Sequence, residues 1–515
     1  MFARAHGCAV RGITGLMVEV EVDVARGLPS FEIVGLPDPS VRESRERVRA
    51  AIRNSGFEFP MGRITVNLAP ADVRKVGVGL DLPIAVSILA AVGAVPESRL
   101  ERATLIGELA LDGSVRPVRG VLPAAAAAWQ CGLGAALVPP DNAQEAKCIG
   151  NLDVLAPGTL CEAVRYLNTG ARPALPQRRG HDKESFGAGP DFSCVIGQRS
   201  AARALEVAVA GGHNLIMVGS PGGGKTLLAS CVPSILPEMS MREAIEVSCV
   251  KSVSGSDMAA GIATVRPFRQ PHPSVTLVGM LGGGSPPMPG EVTLAHAGVL
   301  YLDEFCEFPR PVLESLRSPM EAGVITVSRA RAAVTFPSSF MLIASANPCA
   351  CGNHGDSERR CVCTGVQLAR HRRRLCGPLV DRIDIQVEVP RVNWDNLRMC
   401  DDRRSSSEIR EAVGNARRLQ EARYGREGET NSRLGANEIE RKAHLRAEAH
   451  ATLVEAVRTM RLSVRTYHRL IKVARTIADL DGSESIAEEH ALEALQYRML
   501  EPAIGCAGAE VDPDD

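Results

Sequence analysis

The sequence predicts three folded parts: a central α/β domain on a parallel sheet, an α+β domain before it and a helical bundle after it. Three patterns carry this. Up to about residue 167, β-rich runs such as Met17-Val-Glu-Val-Glu-Val-Asp-Val24 and Arg63-Ile-Thr-Val-Asn-Leu68 alternate with helical stretches such as Val41–Asn54. From Phe192 to about Pro390, glycine-rich loops, continuous apolar runs and amphipathic helices follow one another, the order that builds a parallel sheet. Beyond the polar stretch Asp401–Ser407 the chain keeps a helical period, as in Tyr467–Leu480, without strand-like alternation. Residues 168–191 gather Pro, Gly, Arg and other polar residues with no apolar period and read as a linker. The expected boundaries are therefore 1–167, 192–395 and 396–507, with an acidic tail at 508–515.

At 515 residues and 45% hydrophobic content the chain has material for several cores. A formal net charge of -1 excludes a uniformly basic binder of nucleic acid, so any such contact must be regional. The start, Met1-Phe-Ala-Arg-Ala-His6, lacks the apolar segment of a secretory signal, and no stretch approaches the roughly 18 apolar residues of a membrane span. A cytoplasmic protein with no membrane partner is expected. Its 15 cysteines are then free, mostly small buried residues, or metal ligands.

The apolar run Asn214-Leu-Ile-Met-Val218 leads into Gly219-Ser220-Pro221-Gly222-Gly223-Gly224-Lys225-Thr226, a G-x-x-x-x-G-K-T loop ahead of a helix. Glycines let backbone N–H groups wrap phosphates, and the helix N-terminus adds partial positive charge. Lys225 is placed to reach the β- and γ-phosphates of ATP and Thr226 to ligate Mg²⁺; a merely glycine-rich turn is the alternative. Gly298-Val-Leu-Tyr-Leu-Asp303-Glu304 is an apolar strand ending in two acids. Asp303 suits the metal and Glu304 the attacking water, against a reading in which both cap the next helix. A third apolar strand, Phe340–Asn347, would bring the Asn347 amide to the same edge, near the γ-phosphate, unless Asn347 only forms a turn before Pro348. In Leu379-Val-Asp-Arg382-Ile-Asp-Ile385, Arg382 either neutralises charge on a neighbouring subunit's ATP or belongs to an Asp381–Arg382–Asp384 surface network.

In this order the motifs resemble the magnesium-chelatase-like AAA+ ATPases, in the ComM (YifB) family. The resemblance covers nearly the whole chain. It includes Gly35-Leu-Pro-Asp38 and Ile64–Asp72 near the start; Arg266-Pro-Phe-Arg269, His272, Pro289-Gly-Glu291, Leu294-Ala-His296 and Ser345-Ala-Asn-Pro348 in the core; and Leu462-Ser-Val-Arg465 and Lys472–Leu480 at the end. Relatives usually carry paired histidines after the Arg-Pro-Phe-Arg stretch, where this chain has His272-Pro273. The resemblance implies a hexameric DNA-dependent ATPase, a helicase for branch migration in natural transformation. It gives Arg382 the arginine-finger role and Arg465 the sensor-2 role, reaching the phosphates from the helical lid. Val324–Phe336 reads as a hairpin whose Arg329 and Arg331 either grip DNA phosphates in a pore or are incidental.

The first domain resembles the Lon protease domain, notably in Gly107–Gly120. Yet Val76-Gly-Val-Gly-Leu-Asp81 offers no nucleophilic serine, and no lysine lies between Lys75 and Lys147. An inactive, Lon-like module is expected, without peptidase chemistry. Cys349-Ala-Cys351 and Cys361-Val-Cys363 suit a tetrahedral zinc ion, against free loop thiols, with His354 a spare ligand. The basic run Arg370–Arg374 fits DNA contact or a solvated helix face equally. Three functions stand on these features: a ring-shaped motor acting on single-stranded or branched DNA, a chelatase-type motor subunit, and a chaperone-like ATPase with protein clients.

Overall fold

The computed structural model describes residues 1–173, 189–256, 261–284, 286–329, 332–356, 358–375, 379–391 and 404–498. Arg331, most of the 168–191 linker, the boundary at 396 and the 508–515 tail lie outside these residues.

The first part is a seven-stranded mixed sheet in the order β3-β4-β2-β1-β5-β8-β9. Its strands are β1 (Phe2–Arg11), β2 (Thr14–Ala25), β3 (Ser30–Val34), β4 (Arg63–Ala69), β5 (Ala103–Leu105), β8 (Ala135–Leu137) and β9 (Asp153–Leu155). A small hairpin, β6 (Glu108–Leu109) with β7 (Val115–Arg116), stands apart from it. In β2, Val18, Val20, Val22 and Val24 are buried while Glu19, Glu21 and Asp23 face away, the period-two pattern of a strand with one covered face. Helix Asp81–Ala91 covers that face, apolar almost all round. Its one charge, Asp81, is held by Ser44 Oγ, by Arg47 Nε at 2.7 Å and by the Leu109 N–H at 3.3 Å, which makes its burial tolerable.

The central part is a five-stranded sheet in the order β11-β14-β17-β10-β18, with every neighbouring pair parallel. The strands are β10 (Leu215–Val218), β11 (Phe268–Arg269), β14 (Val299–Leu302), β17 (Met341–Ala346) and β18 (Ile385–Glu388). All residues of β10, β14 and β17 are buried, which is why the sequence shows continuous apolar runs there and no alternation. Two antiparallel ribbons lie outside this sheet: β12 (Gly282–Gly283) with β13 (Met288–Pro289), and β15 (Val324–Arg329) with β16 (Ala332–Pro337).

The first part is seated on the second. Ile13, in the β1–β2 turn, packs with Ile325, Val327, Val334 and Phe336 of the second ribbon, and an Arg11 guanidinium N–H donates to the Ala333 carbonyl at 2.8 Å. Gly12 makes the close approach possible, because a Cβ there would lie 2.8 Å from the Thr335 carbonyl oxygen. Farther along, the buried Glu145 carboxylate accepts from the Leu122 N–H at 2.8 Å and from Ser252 Oγ of the central part.

The described residues from 404 to 498 form helices and no strand. Helices Ser406–Tyr424 and Val464–Leu480 share one core with helix Arg199–Gly211, which precedes β10. Polar groups are locked into the same seam. His213 meets Asp384 at 3.3 Å and Thr476 at 2.8 Å. Arg475 is fully buried and donates to Asp479 at 3.1 Å and to the carbonyls of Ala443, Glu484 and Ser483 at 3.1, 3.0 and 2.5 Å. Asp479 also accepts from Arg423 and from Asn431 Nδ2 at 2.9 Å. Removing the carboxylate strands a buried guanidinium, so Asp479→Ala should destabilise the helical part by about 3–5 kcal/mol, read as a lowered midpoint in urea unfolding followed by far-UV circular dichroism.

Candidate nucleotide site

Parallel strands deliver their C-terminal ends to one edge, and the loop 219–226 leaves that edge from β10. Two glycines of the loop have positive φ, Gly222 at 83° and Gly224 at 87°, the turns that point successive N–H groups inward. Gly219 is required for space, since a Cβ there would sit 2.0 Å from the Val389 carbonyl oxygen beyond β18. Helix Lys225–Ile235 then begins with no side-chain cap at Gly224, leaving its first N–H groups for an anion. Lys225 is buried and donates to the Gly219 carbonyl at 2.5 Å, the Ser220 carbonyl at 3.0 Å and Asn347 Oδ1 at 3.2 Å. Burial lowers its pKa, and the charge of Asp303 opposes that shift.

The acids converge on the same place. Asp303, directly after β14, accepts from Thr226 Oγ1 at 3.2 Å and from Ser345 Oγ of β17. Glu304 takes a left-handed backbone conformation, φ 52°, costly for a non-glycine residue and characteristic of functional turns. Its N–H donates to Asp303 Oδ1 at 3.1 Å and to Ser345 Oγ at 3.3 Å, and its carboxylate is exposed beside the loop. Asn347 is oriented from behind, where His371 Nε2 meets its carbonyl oxygen at 2.9 Å. Lys225, Thr226, Asp303, Glu304 and Asn347 therefore form one cluster at the C-terminal edge. Its donor set of a hydroxyl and a carboxylate is all oxygen, as Mg²⁺ requires, and its glycine-lined cradle has the shape and N–H supply for phosphates.

Arg382 and Arg465 are elsewhere. Arg382 lies before β18, hence at the opposite, N-terminal edge, about 13 Å of strand from the loop. It donates to Glu321 Oε1 at 2.7 Å, and Arg465, at the start of helix Val464–Leu480, pairs with the same oxygen. Burial pushes the Glu321 pKa up, but the two guanidinium groups outweigh it and hold the carboxyl below its ordinary value. Helix Val464–Leu480 packs on helix Arg199–Gly211 and holds Arg465 at this edge, apart from the loop 219–226. Asp384, two positions on from Arg382, meets His213 at 3.3 Å and Arg469 at 3.6 Å. Around the pair opens a cavity of about 750 Å³ whose wall includes Arg266, Arg417, Arg469 and Lys472.

The four cysteines after β17 come together, every sulfur within 4.8 Å of the others. Backbone N–H groups of Asn353 and Val362 lower the Cys351 thiol to about 6. His354 instead meets Arg372 at 3.2 Å. In helix Gly365–Leu375, Arg370 and Arg373 are exposed. Arg329 ends the first strand of its ribbon, at the turn.

Comparison with known proteins agrees with this architecture. Residues 191–397 match the family described as magnesium chelatase, subunit ChlI; residues 20–142 match subunit ChlI of Mg-chelatase, and residues 403–498 its C-terminal region. The competence protein ComM of Haemophilus influenzae is 42% identical over 504 residues, 97% of each chain. The uncharacterized protein YifB of Escherichia coli is 40% identical over 497 residues, 96% of this chain and 97% of its own. The chain belongs to the ComM/YifB family of magnesium-chelatase-like AAA+ ATPases. A Lon protease 2 from Bacillus subtilis is 28% identical over 177 residues, 31% of this chain, a partial Lon-like similarity. Within this AAA+ frame the structure adds residues that local sequence did not single out. Gln198 Nε2 ties the Gly223 carbonyl (3.0 Å) to the Pro390 carbonyl (2.6 Å), Ser345 supports Asp303, and Glu321 holds both arginines. No helix among the described residues is long and apolar enough to cross a membrane.

Because backbone lies directly against Gly219, Gly219→Ala should weaken ATP binding by at least about tenfold while leaving the helical part's unfolding transition in place. Titration with a fluorescent ATP analogue reads the first effect and circular dichroism the second.

Proposed function

We propose that this chain is a Mg²⁺-dependent ATPase that works as a ring, most simply a hexamer, and couples hydrolysis to movement along single-stranded or branched DNA. The observation that carries the reading is the division of the nucleotide chemistry between opposite edges of one sheet. Lys225, Thr226, Asp303, Glu304 and Asn347 stand at one edge, Arg382 and Arg465 at the other. A head-to-tail contact between copies joins the two sets, and repeated contacts of that kind close into a ring.

In such a site Thr226 and Asp303 would hold the cation, which neutralises phosphate charge when bound. Lys225 would exchange its loop carbonyls for the β- and γ-phosphate oxygens, and the loop N–H groups and helix N-terminus would fix the rest of the chain of phosphates. Glu304, exposed and turned out by its backbone, would orient and polarise the attacking water, with Asn347 completing the geometry. Arg382 and Arg465 of the adjacent copy would stabilise charge as it develops on the transferring group.

DNA as the substrate is supported by the ribbon whose first strand ends at Arg329, by the exposed Arg370 and Arg373, and by the likeness to a protein named for competence. This favours a helicase or branch-migration role in natural transformation, in the cytoplasm, over a chelatase-type or chaperone-like motor. Peptidase chemistry is not proposed for the first domain, since Val76–Asp81 offers no nucleophilic serine and no lysine lies between Lys75 and Lys147. The tetrathiolate cluster is read as a structural zinc site.

ATPase activity should rise several-fold when single-stranded or branched DNA is added at low salt with Mg²⁺; an unchanged rate would remove the DNA-motor reading. Glu304→Gln should cut turnover by about 10²–10⁴-fold while ATP still binds, measured by phosphate release alongside nucleotide titration.

A further inference from the structure

The cysteine cluster is built against the nucleotide loop. Cys349 follows Asn347, the residue that contacts Lys225, by only two positions. Its sulfur lies 3.4 Å from Cys351 Sγ and 3.7 Å from Cys361 Sγ, and Cys351 and Cys361 are 3.6 Å apart. Cys363 Sγ accepts from the Cys351 N–H at 3.4 Å, closing the set. A ZnS₄ tetrahedron with bonds of about 2.3 Å has sulfur–sulfur edges of about 3.8 Å, so these separations are nearly those of a filled site.

What the cluster holds in place is a turn lying on the phosphate-binding loop. Gly352 has φ 81°, and a Cβ on it would come within 2.6 Å of both Cδ and Cγ of Pro221. Asp356 accepts from the N–H groups of Glu358 and Arg359, at 2.8 and 3.1 Å, and its other carboxylate oxygen is buried. Ser220 of the loop and Arg391 beyond β18, 4.0 Å away, both bear on that carboxylate. Arg391 also reaches Glu358 at 3.3 Å. The cysteine turn thereby touches Ser220, Pro221 and the strand end on the far side of the loop.

Among the described residues, nothing apolar stabilises this turn by itself. Between 349 and 364 the buried described residues are Cys349 and Gly352, and Val362 is 80% exposed. A segment with no core of its own is the kind that a bound metal orders. Resting on the reading of the cluster as a zinc site, we propose that it is a metal-dependent brace of the nucleotide loop: zinc orders the turn, the turn positions Ser220 and Pro221, and loss of zinc lowers the affinity for ATP.

The test measures zinc content by mass spectrometry and affinity for a fluorescent ATP analogue on the full-length protein, purified reduced and without chelator. Wild type should carry zinc, and Cys361→Ser should lose it together with about ten- to hundredfold of its ATP affinity. Chelator-stripped wild type should weaken likewise and recover when zinc is added back. Gly352→Ala leaves all four thiolates in place, so it should retain zinc and still bind ATP more weakly. Wild type without zinc would overturn the metal reading. Zinc-free protein that binds ATP as wild type does, or Gly352→Ala with unchanged affinity, would overturn the brace while leaving the metal reading intact.

Discussion

Parallel pairing of β10, β14, β17 and β18 is the constraint on which the rest of the molecule depends. It sends everything that follows a strand to one edge and everything that precedes a strand to the other. The phosphate-binding loop, Asp303, Glu304 and Asn347 each follow a strand; Arg382 precedes one. No rotation of a side chain exchanges these edges. A single copy therefore carries the glycine-rich loop and its acids at one edge and, at the other, guanidinium groups gathered on Glu321.

The helical part reinforces the separation. Its long helices are fused to helix Arg199–Gly211 through a shared apolar core and a buried polar seam, His213 with Asp384 and Thr476. Buried polar groups whose partners are fixed this closely are expensive to rearrange, so these helices behave as an extension of the sheet's N-terminal edge. Arg465 consequently travels with Arg382, and nucleotide state would reach the lid across an interface between copies. The N-terminal part is coupled in a different direction, through Ile13 and Arg11, to the ribbon that ends at Arg329.

Much of this was legible in the sequence because the motifs are local. The loop 219–226 and the apolar strands before Asp303 and Asn347 are contiguous, so composition and order place them correctly at one edge. The α+β beginning and helical end follow from their periods. Features set by strand order were not legible in the same way. Arg465 is 83 positions beyond Arg382, and only the packing of its helix shows that both meet one carboxylate. Gln198 bridges Gly223 and Pro390 across three segments, and Gly352 matters only because Pro221 lies against it. Such contacts belong to tertiary structure, and no window of sequence contains both partners.

The central claim, that a working site takes its cradle from one copy and its arginine from the next, is tested most directly by mixing two inactive proteins. Lys225→Ala and Arg382→Ala subunits, each without turnover alone, should recover ATPase activity when combined, because some interfaces then pair an intact Lys225 with an intact Arg382 from its neighbour. A mixture that assembles yet stays as inactive as its parents would contradict the shared site.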